Sequence, residues 1–274
     1  MEGRHCIGTS CHYRREKTNE ELKEIIVSIS GIVDYIHIRE KHKSPAELMV
    51  LIEELIHAGV AKERLVINDR LDVALLAGIP NIHLPANGLP AVKVKTAYPH
   101  MRVGVSTHSP EEAKAAEEAG ADYCIFGHIF ETDSKKGLAG RGLDALGEVV
   151  EKVKIPVIAI GGITPANAKK VLEKKARGIA VMSHIFSSNQ PKEAAALLKK
   201  DFEGGARLQL YINGQKTEVE DHVQNVEDLL NFFKLQDRIV VVEQNGEIVL
   251  KEQYGNQPVN EGDKIEIVHF VGGG

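Results

Sequence analysis

The sequence has few cysteines and no apolar run long enough to cross a membrane. Cys6, Cys11 and Cys124 are odd in number and show no zinc-site spacing, so we expect reduced structural thiols. No stretch approaches the roughly 20 apolar residues of a membrane-spanning helix, and the start MEGRHCIGTS lacks a signal-peptide core. We therefore expect a cytoplasmic protein that binds neither a membrane nor nucleic acid.

The patterns of common hydrolases are also missing. The sequence contains no H-E-x-x-H motif and no Ser-His-Asp order, so it gives little support to a hydrolase. Its 274 residues are 43% hydrophobic and 27% charged, which is typical of a soluble globular protein with room for two domains.

Charge is divided unevenly along the chain. Residues 207–274 contain 6 basic and 12 acidic side chains, whereas residues 1–206 contain 28 and 27. The acidic C-terminal part would be attracted to basic docking surfaces, although a solvated acidic face without a partner gives the same composition.

Short apolar runs alternate with helical stretches as far as residue 202. Ser44-Pro45 and Ser109-Pro110 each predict an N-cap and a first-turn proline, and Glu47 and Glu112 would close the capping boxes. Parallel strands with crossover helices in about 200 residues predict a (β/α)8 TIM barrel. The eight runs are RHCIG, VDYIHI, RLVI, NIHL, RVGVS, DYCIF, IPVIAI and GIAVM.

The pattern changes near residue 203, where residues 203–206 are expected to be a linker. LQLYI alternates apolar and polar residues, and turns are expected at Asn213-Gly214 and Asn245-Gly246. VEDLLNFFKL predicts one amphipathic helix, with Phe233 on its apolar face. The resulting ββαββ order over residues 207–274 predicts a small α+β, ubiquitin-like β-grasp domain.

Two glycine-containing motifs follow the last two barrel strands. IAIGGI ends strand seven at Gly161-Gly162, and GIAVMS ends strand eight at Ser183. The loops after strands seven and eight form the usual phosphate site of this fold, and glycines let backbone N–H groups approach an anion closely. We therefore predict phosphate binding here, although an ordinary tight turn has the same sequence.

Charged and amide side chains follow strands two and three. Arg39 and Lys41 are separated by one residue, so along an extended segment they share a face towards the barrel mouth. Asn68 and Asp69 end the next strand. Together these residues predict a pocket for an anionic substrate, and each alone could be a solvated loop residue.

His128 is the preferred acid/base candidate because it follows the strand ending at Phe126-Gly127, next to the predicted phosphate site. An imidazole titrates near neutral pH, so it can take a proton from one atom and return it to another. Most of the twelve histidines are expected on the surface or in packing. The weaker candidates near strand ends are His37, His83, His108 and His184.

The final segment Val271-Gly272-Gly273-Gly274 directly follows an apolar strand. Glycines give a slim, mobile tail whose distinctive group is the carboxylate of Gly274. Such a tail is typical of a carrier that is activated inside a partner enzyme, although a frayed terminus is the alternative.

Residues 1–202 resemble the thiamin phosphate synthase/TenI superfamily, in particular its thiazole tautomerase (TenI) branch. The resemblance is carried by HIREK, GVSTHSPEEA, IPVIAIGGI and GIAVMS, and above all by ADYCIFGHIFETDSKKGLAGRG. It implies aromatisation of a carboxythiazolylidene ethyl phosphate to the carboxythiazole ethyl phosphate, with no cofactor. His128 would be the acid/base, Gly161, Gly162 and Ser183 would bind phosphate, and Arg39 and Lys41 would hold the carboxylate.

The Mg2+-dependent synthase branch is the first alternative. Asp69 matches one of its metal-binding aspartates, but HLPANGLP has no carboxylate where the second is usual. Losing a carboxylate should weaken a site for a hard cation. Lys135 lies in a partly retained TxTK pattern and could still contact an anion. A second alternative is a barrel that only docks the carrier or sequesters a product.

Residues 207–274 resemble the sulfur carrier ThiS, from LQLYINGQ to DKIEIVHFVGGG. The resemblance implies that a ThiF-like adenylating enzyme uses ATP to activate Gly274, which becomes a thiocarboxylate. A ThiG-like thiazole synthase would then accept the sulfur. Gly204-Gly205 is expected to be a flexible hinge rather than a second carrier terminus. A homodimer is plausible from the resemblance alone.

Overall fold

The computed structural model describes residues 6–11, 18–132, 135–203, 207–220, 223–236, 238 and 240–269. The chain divides into two compact units, residues 5–202 and residues 203–274. Within the described ranges, no helix combines the length and apolarity that crossing a bilayer requires.

The larger unit is a closed barrel of eight parallel strands in sequence order, and β1 pairs with β8 to complete it. This confirms the predicted TIM barrel. Its strands are β1 (Cys6–Cys11), β2 (Tyr35–Ile38), β3 (Leu65–Asn68), β4 (Asn81–Leu84), β5 (Arg102–Thr107), β6 (Tyr123–Gly127), β7 (Val157–Ile160) and β8 (Gly178–Val181). Its helices are α1 (Asn19–Ile29), α2 (Pro45–His57), α3 (Leu71–Ala77), α4 (Ala91–Ala97), α5 (Pro110–Glu118), α6 (Gly142–Lys152), α7 (Pro165–Glu173), α8 (Ser183–Phe186) and α9 (Pro191–Glu203). Helix α9 thus includes the first residue of the predicted linker.

The strands separate two environments because successive side chains point to opposite faces. One set of residues packs between sheet and helices in a large apolar core, for example Ile36, Ile82, Val103 and Phe126. The alternate residues of β6, β7 and β8 form a second, smaller apolar cluster. That cluster contains Tyr123, Ile125, Ile158 and Ala180, with Ile160 packed against it.

The corresponding positions of β2 to β5 are mostly polar. Among the polar ones are Tyr35, His37, Asn68, His83, Arg102 and Ser106, which alternate with core residues. The barrel interior therefore has an apolar half, from β6 to β8, and a polar half, from β2 to β5.

Capping interactions begin several helices as predicted, with one difference. Ser44 accepts a hydrogen bond from the Glu47 N–H, and the Glu47 carboxylate accepts one from the Ser44 N–H at 2.7 Å, which closes the box. Ser109 also accepts from the Glu112 N–H. The Glu112 carboxylate, however, accepts from the N–H of His108, at 2.7 Å, so the second predicted box is only half formed. Glu112 thereby anchors the backbone of a residue at the barrel mouth.

The smaller unit is a five-stranded mixed sheet with one helix, in the order β10-β9-β13-β11-β12, which confirms the predicted β-grasp fold. Strands β13 and β9 are parallel and the other pairs are antiparallel. The elements are β9 (Arg207–Ile212), β10 (Gln215–Glu220), α10 (Val226–Phe232), β11 (Val240–Gln244), β12 (Glu247–Val249) and β13 (Lys264–His269).

Two details of this unit differ from the sequence prediction. The turn at Asn245-Gly246 joins β11 to β12, a three-residue strand that the predicted ββαββ order omits. Helix α10 ends at Phe232, so Phe233 packs against the core as the C-cap residue rather than within the helix. The left-handed conformation of Lys234, at φ 56°, terminates the helix.

Candidate active site

A cavity of about 680 Å3 is lined by residues at the carboxyl ends of the barrel strands. Active sites of this fold lie at that end of the barrel. Eight predicted site residues line the cavity: Arg39, Lys41, Asn68, His128, Lys135, Gly161, Gly162 and Ser183. The four weaker histidine candidates, His37, His83, His108 and His184, line it as well.

The two glycines after β7 allow the loop after β6 to approach closely. A Cβ at Gly161 would overlap the Cβ of His128, and a Cβ at Gly162 would lie 2.5 Å from the Glu131 carbonyl oxygen. Both glycines also have positive φ, at 102° and 65°. The N–H of Ile129 donates to the Ile160 carbonyl at 2.9 Å, which continues the β6–β7 pairing beyond the strands. The predicted phosphate loop thus also fixes the position of His128.

The ring of His128 is 6% exposed and has one hydrogen bond among the described residues. Its Nε2 lies 3.2 Å from the carbonyl oxygen of Leu138. Because a carbonyl can only accept, Nε2 carries the hydrogen, and the neutral ring has its lone pair on Nδ1. Nδ1 is buried and has no partner within the described part of the chain. Among the described residues, no group donates a hydrogen bond to this nitrogen.

The carbonyl of Gly127 holds two further side chains near His128. It accepts from Nδ1 of His108 and from Nε of Arg141, each at 3.0 Å. The N–H of Arg141 also donates to the His128 carbonyl at 2.8 Å. The backbone on both sides of the His128 side chain is therefore held by hydrogen bonds.

Two more histidines lie in the polar half of the barrel. Nδ1 of His37 lies 3.2 Å from Oδ1 of Asn68, and Nε2 of His83 lies 2.8 Å from Oγ of Ser106. The two rings meet edge to face with centroids 5.3 Å apart. Burial lowers the pKa of His37 to about 4, and burial also lowers the pKa of His83 well below its usual range. Both rings are therefore neutral at pH 7.

Arg102 lies beneath these histidines, at the start of β5. Its guanidinium carbon is 4.4 Å from the ring centroid of Tyr35 and 4.3 Å from that of Tyr123, so the cation stacks between two aromatic faces. The Arg102 charge also lowers the pKa of His37, in addition to the larger effect of burial. A fixed positive charge below the cavity thus disfavours protonation of His37.

The cavity is suited to anions. Arg39 and Lys41 line it on one side and Lys135 on another. Burial lowers the pKa of the Arg39 guanidinium, and the carboxylate of Asp69 opposes that effect. Asp and Glu are missing from the described residues that line this cavity. Negative groups of a ligand would therefore meet cations and N–H groups, and the Asp69 carboxylate lies near enough to Arg39 to affect its pKa.

A divalent metal ion would find few protein ligands among the described residues near the cavity. They contain no cluster of three or more histidine, cysteine, aspartate or glutamate side chains arranged to hold one. Asp69, the residue that matches a metal-binding aspartate, has φ 65° and is not among the lining residues. The segment after β4 contributes Pro85, Ala86 and Asn87 to the cavity. A hard cation such as Mg2+ prefers carboxylate oxygens, which these positions lack.

The free thiol of Cys124 is buried, and burial raises its pKa to about 11. It is a packing residue, as predicted, because the nucleophilic form of cysteine is the thiolate. The side chains of Cys6 and Cys11 lie outside the described part of the structure.

Sequence reasoning missed three parts of the site. Ser106 and Asn87 line the cavity, and Arg102 lies below it. The alternation in RVGVST gives the signal for two of them, since Arg102 and Ser106 share the face of β5 that points into the barrel. Asn87 follows no periodic pattern, because it lies in a loop.

The predicted carrier terminus, Gly274, lies outside the described residues, as does the predicted hinge at Gly204-Gly205. The described part of the smaller unit ends at His269, the last residue of β13. Leu210, Val242 and Ile265 are fully buried in its core and show how the sheet packs against α10.

Comparison with known proteins identifies both parts of the chain. Residues 6–185 match the family model described as thiamine monophosphate synthase (TMP-TENI), and residues 206–274 match the ThiS family. The thiamine-phosphate synthase of Chlorobium phaeovibrioides is 39% identical over 197 residues, which cover 70% of this chain and 94% of the relative. That of Chlorobium luteolum is 40% identical over 174 residues, or 62% and 82% of the two chains.

Solved structures agree with this assignment. A thiamine phosphate pyrophosphorylase from Pyrococcus furiosus superposes with a TM-score of 0.63 at 30% identity, covering 74% of this chain and 97% of the other. A 3-hexulose-6-phosphate synthase, at 18% identity and a TM-score of 0.58, shares the fold alone. The protein therefore belongs to the thiamine monophosphate synthase/TenI family and joins such a barrel to a ThiS domain.

Proposed function

We propose that the barrel is a thiazole tautomerase, which aromatises a carboxythiazolylidene ethyl phosphate to the carboxythiazole ethyl phosphate. The observation that supports this most directly is the unpartnered Nδ1 of His128, in a cavity whose described lining residues include cations and no carboxylate. Tautomerisation needs groups that accept and donate protons, and groups that bind the phosphate and the carboxylate of the substrate. These residues supply both without a metal or a redox cofactor.

In this proposal the substrate phosphate lies at Gly161, Gly162 and Ser183, where backbone N–H groups and a hydroxyl can donate to it. Arg39 and Lys41 bind the carboxylate, and Lys135 adds a further positive charge at the mouth. Asn68 acts through His37, whose ring it orients by its 3.2 Å contact. The reaction moves one proton from the ring carbon that bears the carboxylate and adds another at the exocyclic carbon.

The second candidate is thiamine-phosphate synthase, because the relatives described above bear that name. That reaction joins a pyrimidine pyrophosphate to the thiazole phosphate and uses Mg2+ held by aspartates. The described residues include one such aspartate, Asp69, whose carboxylate acts on Arg39. The segment after β4, where the second aspartate is usual, contributes Pro85, Ala86 and Asn87 and no carboxylate. We therefore place the synthase second.

One experiment compares the two activities directly. The purified full-length protein is given each substrate set, with and without Mg2+, and product is measured by chromatography. We expect tautomerisation with or without the metal, and a loss of about 100- to 10,000-fold in the His128→Asn variant, the usual contribution of general acid–base catalysis. Thiamin phosphate formation that requires Mg2+, without tautomerisation, would establish the synthase instead.

A control separates catalysis from binding. His128→Asn should bind the carboxythiazole phosphate product with nearly unchanged affinity, because the phosphate and carboxylate contacts remain. His100 is exposed and does not line the cavity, so His100→Gln should behave as wild type in both assays. Tight product binding without turnover in the wild type would support a docking or sequestering barrel.

For the smaller unit we propose that Gly274 accepts sulfur as a thiocarboxylate, after a ThiF-like enzyme has adenylated it with ATP. The match of residues 206–274 to the ThiS family supports this role. A ThiG-like thiazole synthase would then receive the sulfur. Intact-mass analysis after incubation with the activating enzyme, ATP and a sulfur source should show one oxygen replaced by sulfur. A chain that lacks Gly274 should show no such change, and sulfur found there on another residue would contradict the proposal.

A further inference from the structure

The amino-terminal end of the barrel contains a charged residue that the proposed function does not use. Arg102 begins β5 and Tyr35 begins β2, so both lie at the opposite end of the strands from the cavity. Both residues are partly exposed. The Arg102 guanidinium carbon lies 4.4 Å from the ring centroid of Tyr35 and 4.3 Å from that of Tyr123, which begins β6. One cation thus joins three strands at this end of the barrel.

The charge of Arg102 is not neutralised by any described residue. Within the described ranges, its guanidinium forms no ion pair and donates no hydrogen bond. The acidic residue next to the stack in the chain is Asp122, which precedes Tyr123. Its carboxylate accepts instead from the Lys95 ammonium at 2.9 Å and from the N–H of Val103 at 2.7 Å. The N–H donors of the Arg102 guanidinium are therefore available to a ligand.

Tyr123 contributes a second polar group that the described protein leaves unsatisfied. Its side chain is 2% exposed, and its hydroxyl is buried without a hydrogen-bond partner in the described part of the chain. Gly104 makes room for this ring, since a Cβ there would lie 2.0 Å from Cζ of Tyr123 and 2.4 Å from its hydroxyl oxygen. A buried hydroxyl without a partner costs free energy. The stack therefore combines a cation and a hydroxyl that a bound ligand would stabilise.

The stacking geometry favours one class of ligand. The face of an aromatic ring is negative, and a ring covers each face of the guanidinium, so an anion can approach only at the guanidinium edge. A carboxylate places two oxygens in the plane of that edge and accepts two parallel hydrogen bonds. The further oxygens of a phosphate would project out of the plane, towards the negative ring faces. The geometry therefore suits a small carboxylate better than a phosphate.

We propose that Arg102, between Tyr35 and Tyr123, binds a small carboxylate anion at the amino-terminal end of the barrel. This site is separate from the cavity at the other end of the strands, and it does not depend on the tautomerase function. It is linked to the cavity through charge. Arg102 lowers the pKa of His37, in addition to the larger effect of burial, so a carboxylate that neutralises Arg102 would raise this pKa.

The test follows the Arg102 side chain by NMR of the nitrogen-15-labelled full-length protein, at about pH 6, where a carboxylate is ionised. The Nε–H signal of Arg102 is assigned by its loss from the Arg102→Lys variant. Formate replaces chloride at constant ionic strength. The signal should shift and saturate with a millimolar dissociation constant, near the tightest that so small a ligand reaches. Inorganic phosphate should bind at least about tenfold more weakly, because its out-of-plane oxygens meet the rings.

Two variants locate the binding. Arg39→Met removes a cation of the cavity, and formate should shift the Arg102 signal in this variant as it does in the wild type. Arg102→Lys keeps the positive charge but lacks the bidentate edge. Compared with chloride, about 100 mM formate should raise the melting temperature of the wild type and of Arg39→Met, and should leave that of Arg102→Lys nearly unchanged.

Three results would overturn the proposal. They are a shift that does not saturate, a shift that disappears in Arg39→Met, and phosphate binding as tight as that of formate. The first would show that no site exists, the second that the anion binds in the cavity, and the third that the ligand class is wrong. Tautomerase turnover is not part of this readout, so failure here leaves the proposed function unchanged.

Discussion

Replacing Gly161 with alanine tests how the phosphate loop fixes His128. The new Cβ would overlap the Cβ of His128, and Gly161 has φ 102°, which L side chains disfavour. The strained backbone of the alanine should lower the free energy of unfolding by about 1–2 kcal/mol, and the overlap of the two Cβ atoms should lower it by about 1–3 kcal/mol more. For a barrel of this size each kcal/mol lowers the melting temperature by about 2–4 °C. Because His128 must move, turnover should fall by about 100-fold, the usual effect of a 1 Å displacement.

Gly59→Ala is the matched control within the same barrel. Gly59 has φ 90°, but a Cβ there would meet nothing within 4 Å. This variant should lose only the 1–2 kcal/mol of unfolding free energy, about the amount expected from backbone strain, and should keep full activity. The melting temperatures of the two full-length variants, measured by calorimetry, and their tautomerase rates are compared with those of the wild type. Equal losses of stability, or a fully active Gly161→Ala protein, would refute the argument that this glycine is required by the approach of His128.

Three further predictions concern the polar half of the barrel and the metal. Because burial lowers the pKa of His37 from 6.5 to about 4, the unfolded chain binds this proton first on acidification. The stability conferred by neutral His37 is therefore complete above pH 6.5 and falls by about 3 kcal/mol as the pH drops towards 4. Measured by urea unfolding across that range, the free energy of unfolding should depend less on pH in His37→Gln than in the wild type. Identical pH dependence in the two proteins would contradict the lowered pKa of His37. Arg102→Met should raise the pKa of His37, measured by NMR titration, because it removes a nearby positive charge. It should also lower the free energy of unfolding by about 1–2 kcal/mol, because the cation–π stacking is lost. An unchanged pKa would show that the Arg102 charge is screened from His37. Chelation with EDTA should leave tautomerisation unchanged, and activity restored only by Mg2+ would contradict the proposed site.

The sequence was sufficient to predict the barrel because its apolar runs and helix caps agree with each other. Ser44 and Glu47 form the predicted capping box, and IPVIAI ends at the predicted glycines. The half-formed box at Ser109 could not be foreseen, because the Glu112 carboxylate accepts from the N–H of His108 instead of the N–H of Ser109. The choice between them depends on how the loop before α5 is held.

The position of His128 was predictable, but its chemical state was not. A strand end next to a glycine loop indicates where a side chain lies, whereas the partner of Nε2 is the Leu138 carbonyl, ten residues further along a loop. Likewise, the contact between His37 and His83 joins strands β2 and β4, which are separated by β3. Such contacts depend on barrel closure, which no local pattern encodes. In the smaller unit, β12 was missed because three residues are too few to show alternation.

The division of the barrel interior into a polar and an apolar half has a stereochemical consequence. In the proposed tautomerisation, a substrate held by its phosphate at one wall would turn one face of its exocyclic carbon towards His128. The hydrogen added there would arrive from that face alone. A reaction run in heavy water would then give a methylene group of one configuration, rather than a racemic mixture.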